Sequence, residues 1–109
     1  MATTCGAVTS TFANREDARR VADALLAEKL AACVQLMEIE SHYVWKGETR
    51  REGEVMLVAK TRTDLFDRAI ARIKALHPYE TPEIVALPVA EGEAHPAYRA
   101  WVEGETKDV

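Results

Sequence analysis

The stretch ACVQLMEIESHYVWKGETRREGEVMLVAK, residues 32–60, decides the fold. Val34, Leu36, Met37 and Ile39 are apolar, and Glu38, Glu40 and His42 then alternate with Ile39, Ser41, Tyr43 and Trp45. A period of two sustained over this length predicts a strand. It exceeds the usual strand length of about five or six residues, so a bulge or bend is expected near Met37, where the alternation changes phase. Its far half then projects from the body. Lys46–Gly53 is polar, charged and punctuated by two glycines, which predicts a hairpin loop leading into a third, more apolar and central strand at Glu54–Lys60. A connection this short cannot carry a parallel crossover, which disfavours a doubly wound parallel fold.

Upstream, Cys5–Phe12 is rich in small and β-compatible residues and reads as strand one. Asn14 follows as an N-cap, with Glu16 and Asp17 in the first turn and Ala18, Val21, Ala22 and Leu25 at helical spacing, predicting a helix to about Leu30. Downstream, Thr63 is expected to cap a second helix. Asp64 and Asp67 sit near its start, Phe66, Ala69, Ile70, Ile73 and Leu76 form its apolar stripe, and Lys74 complements its end. His77-Pro78 stops it, because Pro78 lacks a donor and disfavours the helical region for His77. A fourth strand is expected at Glu83–Ala90, with Pro88 marking an edge, a bulge or the end of pairing, and then a short helix from Pro96 to Val102, ended by Gly104. The order β-α-β-β-α-β specifies an α+β fold, the ferredoxin-like split βαβ sandwich, with four antiparallel strands and two helices on one face. A short C-terminal helix completes a single domain over residues 1–109.

Composition bounds the function. The chain has 109 residues, 14 Lys+Arg against 18 Asp+Glu and a net charge of -4. The basic field that nucleic acid or anionic lipid would require is lacking, so neither is expected as a partner. No apolar run approaches the length of a spanning helix, and the start, Met1–Gly6, lacks the basic and apolar regions of a secretory leader. The expected address is cytoplasmic, with Cys5 and Cys33 as free thiols. A chain of this size has little surplus stability, and oligomerisation is a natural supplement.

No phosphate-binding glycine loop, nucleophile elbow or zinc-protease motif is present, and no enzymatic activity is expected. The densest polar and aromatic cluster is His77-Pro78-Tyr79-Glu80-Thr81-Pro82-Glu83. His77 and Glu83, joined by the thiol of Cys33, offer ligands suited to Cu(II) or Zn(II). The alternative is a stiff connector whose histidine caps a helix end, with Cys33 a small buried hydrophobe. No ligand pair has the local spacing of a structural zinc site, so a metal site would be assembled by the fold or across subunits. Cys5 reads as inert, His42 as solvated beside Glu38 and Glu40, His95 as the start of the last helix, and Glu48–Glu52 as a solvated hairpin tip. Tyr43 and Trp45 share a face of the projecting hairpin and are covered either by an interface or by Tyr98 and Trp101 of the same chain.

Four ordered pieces carry a family resemblance: KLAACVQ at Lys29–Gln35, S-x-Y-x-W-x-G at Ser41–Gly47, KT at Lys60–Thr61 and HPYETPEI at His77–Ile84. A Y-x-x-W pair at Tyr98–Trp101 completes the pattern. From Ala7 to Trp101 the chain resembles the divalent-cation tolerance protein CutA family. The resemblance implies a ferredoxin-like subunit in a tight homotrimer, with the long second and third strands and the C-terminal part reaching across to neighbours. It also implies a link to tolerance of copper and other divalent metals in bacteria, and, for eukaryotic relatives, to anchoring of acetylcholinesterase, without a defined reaction. By motif position His77 and Glu83 carry the metal role, with Cys33 a further ligand. Some relatives have a cysteine at the end of strand one and a second histidine before the HPY motif. Ser10-Thr11 and Leu76 stand there in this chain, which removes soft and imidazole ligands.

Two functions of different class follow. One is a cytoplasmic homotrimer that binds divalent metal, Cu(II) foremost, and affects tolerance to it. The other is a trimeric scaffold or PII-like small-ligand sensor, with clefts near Tyr43, Lys60 and the HPY segment taking a small anion or a partner loop.

Overall fold

A computed structural model describes residues 4–90 and 92–107; Met1–Thr3, which open the stretch read for a leader, lie outside them, as do Glu91, Asp108 and Val109. The elements are β1 (Cys5–Phe12), α1 (Arg15–Ala27), β2 (Cys33–Trp45), β3 (Glu48–Arg62), α2 (Phe66–Leu76), β4 (Ile84–Pro88) and α3 (Pro96–Gly104). The strands form one sheet in the order β2-β3-β1-β4, each antiparallel to its neighbours. This is the ferredoxin-like α+β arrangement expected from the order of elements. β1 and β3 are central, and β4, carrying Pro88, is an edge.

The β2–β3 pairing runs without interruption from Cys33 opposite Lys60 to Trp45 opposite Glu48. The expected bulge near Met37 is absent. Leu36 and Met37 are both apolar because they serve opposite faces: Leu36 packs against the core, while Met37 lies on the other face and is 45% exposed. The expected loop Lys46–Gly53 contracts to Lys46-Gly47, whose φ values of 49° and 77° suit a tight hairpin turn of the primed type. Glu48–Gly53 is charged because the ribbon extends beyond the helices into solvent, and the chain measures 43 × 27 × 21 Å.

Asn14 caps α1 as expected, its Oδ1 accepting from the Asp17 N–H at 2.9 Å. The helix stops at Ala27 rather than near Leu30. Lys29 takes φ 58°, and the N–H groups of Lys29 and Leu30 return to the carbonyls of Leu26 and Leu25, a Schellman closure made without glycine. Thr63 does not cap α2. It opens a 3₁₀ turn, Thr63–Leu65, and its Oγ1 accepts from the Thr4 N–H at 3.3 Å. β4 is shorter than expected at both ends, and α3 runs through Gly104.

The core lies on the helical face of the sheet. Val8 and Phe12 of β1 and Val55, Leu57 and Ala59 of β3 meet Ala18, Val21 and Leu25 of α1 and Ala69 and Ile73 of α2. Alternation sends Met37, Val85 and Leu87 to the other face, where they remain exposed. Gly6 permits the closest approach: a Cβ there would lie 2.5 Å from the Leu87 carbonyl oxygen and 2.6 Å from Phe66 Cζ. Gly6→Ala should lose about 1–3 kcal/mol through overpacking. Gly53→Ala, where a Cβ meets nothing within 4 Å, is the control in urea unfolding and should leave stability within about 1 kcal/mol.

Candidate functional site

The connector from His77 to Glu83 is fastened to β1 at both ends. Pro78 ends α2 and leaves His77 extended, at φ -76° and ψ 134°. The His77 ring stacks on Phe12, with centroids 4.2 Å apart. Its Nε2–H donates to the Thr11 carbonyl at 2.8 Å, and its Nδ1 accepts from the Tyr79 N–H at 3.1 Å. Both ring nitrogens are thus engaged, and the side chain is buried, at 8% exposure. At the other end Ser10 Oγ donates to the Glu83 carbonyl at 2.7 Å.

This fastening places Tyr79 opposite the β2–β3 ribbon. The Tyr79 hydroxyl donates to Glu54 Oε2 at 3.4 Å, and its ring lies 4.7 Å from that of His77. On the ribbon, Tyr43 and Glu52 line the same face of the cavity. The two phenols line a cup of about 700 Å³ with Trp45, Glu52, Glu54 and Thr11, and His42, Arg50, Glu80 and Glu83 line it too. Partial burial and then the Glu54 charge hold the Tyr79 hydroxyl above its ordinary value of 10.0. The neighbouring Glu52 carboxylate, followed by desolvation, does the same for Tyr43. A second cavity of about 410 Å³ lies under α3, between Ala7, Lys60, Leu87 and Tyr98.

The structure does not bring His77, Glu83 and Cys33 together. Cys33 is half-buried opposite Lys60, whereas His77 bonds to Thr11, whose β3 partner is Met56; the two rows lie about 13 Å apart along the strand. Among the described residues no three His, Cys, Asp or Glu side chains form a group able to hold a metal ion. Within one chain these residues therefore do not fit a resident copper. His42 is exposed, with Nε2 3.1 Å from Glu40, and His95 Nδ1 accepts from the Ala97 N–H at the start of α3, both as expected. Tyr98 and Trp101 contact each other at 5.7 Å, and among the described residues no ring contact joins them to Tyr43 or Trp45. Covering by those residues of the same chain is thereby excluded.

Sequence reading missed Glu52 and Glu54 as walls of a site. Recognising Lys46-Gly47 as a two-residue turn would have put Glu52 opposite Ser41 and Glu54 opposite Ile39, on the face that carries Tyr43 and Trp45.

A chain with this sheet order, α1 and α2 on one face and a cup at the base of a projecting ribbon is a ferredoxin-like protein of the PII-like class. Residues 7–105 match the family profile of the CutA1 divalent ion tolerance protein. The chain belongs to that family. It is 45% identical over 97 residues to the divalent-cation tolerance protein CutA of Thermus thermophilus, covering 88% of this chain and 92% of that one. The Thermus structure superposes with a TM-score of 0.86 at 43% identity, covering 94% of this chain and 99% of the other. The PII-like protein CutA from Nostoc sp. PCC 7120, in apo form, gives a TM-score of 0.86 at 37% identity over 94% of this chain and 97% of its own. The periplasmic divalent cation tolerance protein CutA from Archaeoglobus fulgidus gives 0.88 at 32% identity, covering 94% and 99%. No helix among the described residues is long and apolar enough to cross a membrane.

Two outcomes test this geometry. His77→Phe keeps a ring on Phe12 but leaves the Thr11 carbonyl and the Tyr79 N–H without their partner, and should cost about 1–3 kcal/mol in urea unfolding. The second concerns alkaline pH. A raised tyrosine value means that the folded state holds the proton more tightly than the unfolded one. That contribution is complete below the ordinary 10.0 and is lost as pH rises through the higher folded value. Stability should therefore fall more steeply above pH 10.0 in the wild type than in the Tyr43→Phe, Tyr79→Phe double variant, measured by denaturant unfolding across that range.

Proposed function

We infer that this protein acts as a homotrimer in tolerance to divalent cations, with Cu(II) foremost, and that it does so without catalysing a reaction. The observation that carries the assembly is the open face of the sheet. Leu87 is 54% and Trp45 47% exposed, as Met37 and Val85 are in part, and the outer half of the ribbon, Glu48–Gly53, is exposed throughout. Neighbouring copies would cover both. The whole chain, residues 1–109, then acts as one domain within each subunit. The two free cysteines support a cytoplasmic site of action.

Copper bound through Glu83, His77 or Cys33 would draw its remaining ligands from a neighbouring subunit, since one subunit brings no such group together. A second reading is favoured by the cup itself: a PII-like sensor that responds to a small ligand at the cleft between subunits. Its support is a cavity of ligand size between a fastened connector and the ribbon that assembly would cover.

Light scattering after size exclusion should give three times the mass of one chain; a stable single-chain mass at micromolar concentration refutes the trimer. Calorimetry of the metal-free protein with Cu(II) and Zn(II) separates the two readings. Saturable sub-micromolar Cu(II) binding, with a stoichiometry tied to the trimer and lost in Glu83→Ala and Cys33→Ser, establishes the metal role. Weak binding unchanged in those variants overturns it.

A further inference from the structure

The cup has a chemical bias that neither a bare metal ion nor an anion satisfies. Tyr43, Trp45 and Tyr79 give it aromatic walls, and Glu52, Glu54, Glu80 and Glu83 give it carboxylates. Among the described lining residues Arg50 is the only lysine or arginine. An anion would enter against that excess of negative charge. A bare divalent ion would need converging inner-sphere ligands, and no three-residue group supplies them among the described residues. It would also leave most of about 700 Å³ to water.

We propose that this cup binds an organic cation, an ammonium or guanidinium group carried on a small molecule, between the Tyr43, Trp45 and Tyr79 rings and the Glu52 and Glu54 carboxylates. The proposal rests on the small-ligand reading above and names the ligand class. Ring faces attract a cation through their quadrupole at centroid distances up to about 6 Å. Trp45 already does so within the chain, with Lys46 Nζ 5.9 Å from its ring centroid. The carboxylates supply the second element. Glu54 accepts one hydrogen bond, from Tyr79, and a carboxylate has about four acceptor sites, so capacity remains there and at Glu52 for a ligand N–H. His77 enters as a positioning residue: its Nδ1 fixes the Tyr79 backbone, and its Nε2–H fastens the connector to β1.

The test uses the full-length protein in its native assembly, followed by two-dimensional NMR of amide and indole signals. Tetramethylammonium and agmatine are the cationic probes and citrate is the anionic one. The expected result is saturable shifts of the Trp45 indole and Tyr79 amide with both cations and not with citrate. Glu54→Gln and Glu52→Gln should each weaken agmatine binding about tenfold, the loss of one charge-assisted hydrogen bond. Trp45→Leu should abolish the response to tetramethylammonium at the Tyr79 amide. Shifts of the same signals by citrate alone overturn the cation assignment while leaving the small-ligand reading in place. No shift from any probe overturns both. Cation binding that survives unchanged in all three variants puts the ligand elsewhere and overturns the proposal.

Discussion

The two-residue turn at Lys46-Gly47 is the constraint on which the rest of the structure depends. With both residues at positive φ it fixes the pairing of β2 with β3 over the whole of β2. A slip of one residue would carry every side chain of β2 to the opposite face. Leu36 would leave the core, and Tyr43 and Trp45 would leave the cup. β3 in turn pairs with β1 from Arg62 to Val55, which aligns Val55, Leu57 and Ala59 with Phe12, Ser10 and Val8 beneath the helices. One short turn thus sets the site and the face that β2 turns to the core.

His77 shows how a residue type suited to metal chemistry can be committed to architecture. Its two ring nitrogens satisfy a buried carbonyl and a backbone N–H, and its ring closes the space beside Phe12. A metal drawing on this imidazole must displace one of those bonds, and an unsatisfied buried polar group costs about 1–3 kcal/mol. That cost is set against any affinity the ion gains. The same bonds hold Tyr79 over the ribbon, so an exchange of partners at His77 would disturb the cup wall as well.

The order of elements, the Asn14 cap, the stop at His77-Pro78 and the edge position of Pro88 were all legible in the sequence, because each follows from local backbone chemistry. What escaped depended on surroundings that local pattern does not encode. Glu48–Gly53 looked like a loop because its residues are charged, yet charge there reflects a strand with no core to face. Lys29 gave no sign of a helix end because glycine is the usual occupant of that conformation. Candidate ligands could be named from residue type, but the distance between the Cys33 and His77 rows is a property of the assembled sheet. Glu52 and Glu54 emerged as site residues only when the register placed them beside Tyr43 and Tyr79.

The location of the cup couples two parts of the molecule that are held differently. The connector is pinned to β1 by hydrogen bonds from His77 and Ser10, whereas the outer ribbon is held within its own chain by little beyond the pairing of β2 with β3. A ligand bridging Tyr79 and Tyr43 therefore ties the outer ribbon to the fastened connector. Where neighbouring copies cover the ribbon, any preference of the ligand for one ribbon position becomes a preference for one state of the assembly, and linkage makes the effect reciprocal. Subunit contacts that order the ribbon would tighten the cup, and an occupied cup would strengthen those contacts.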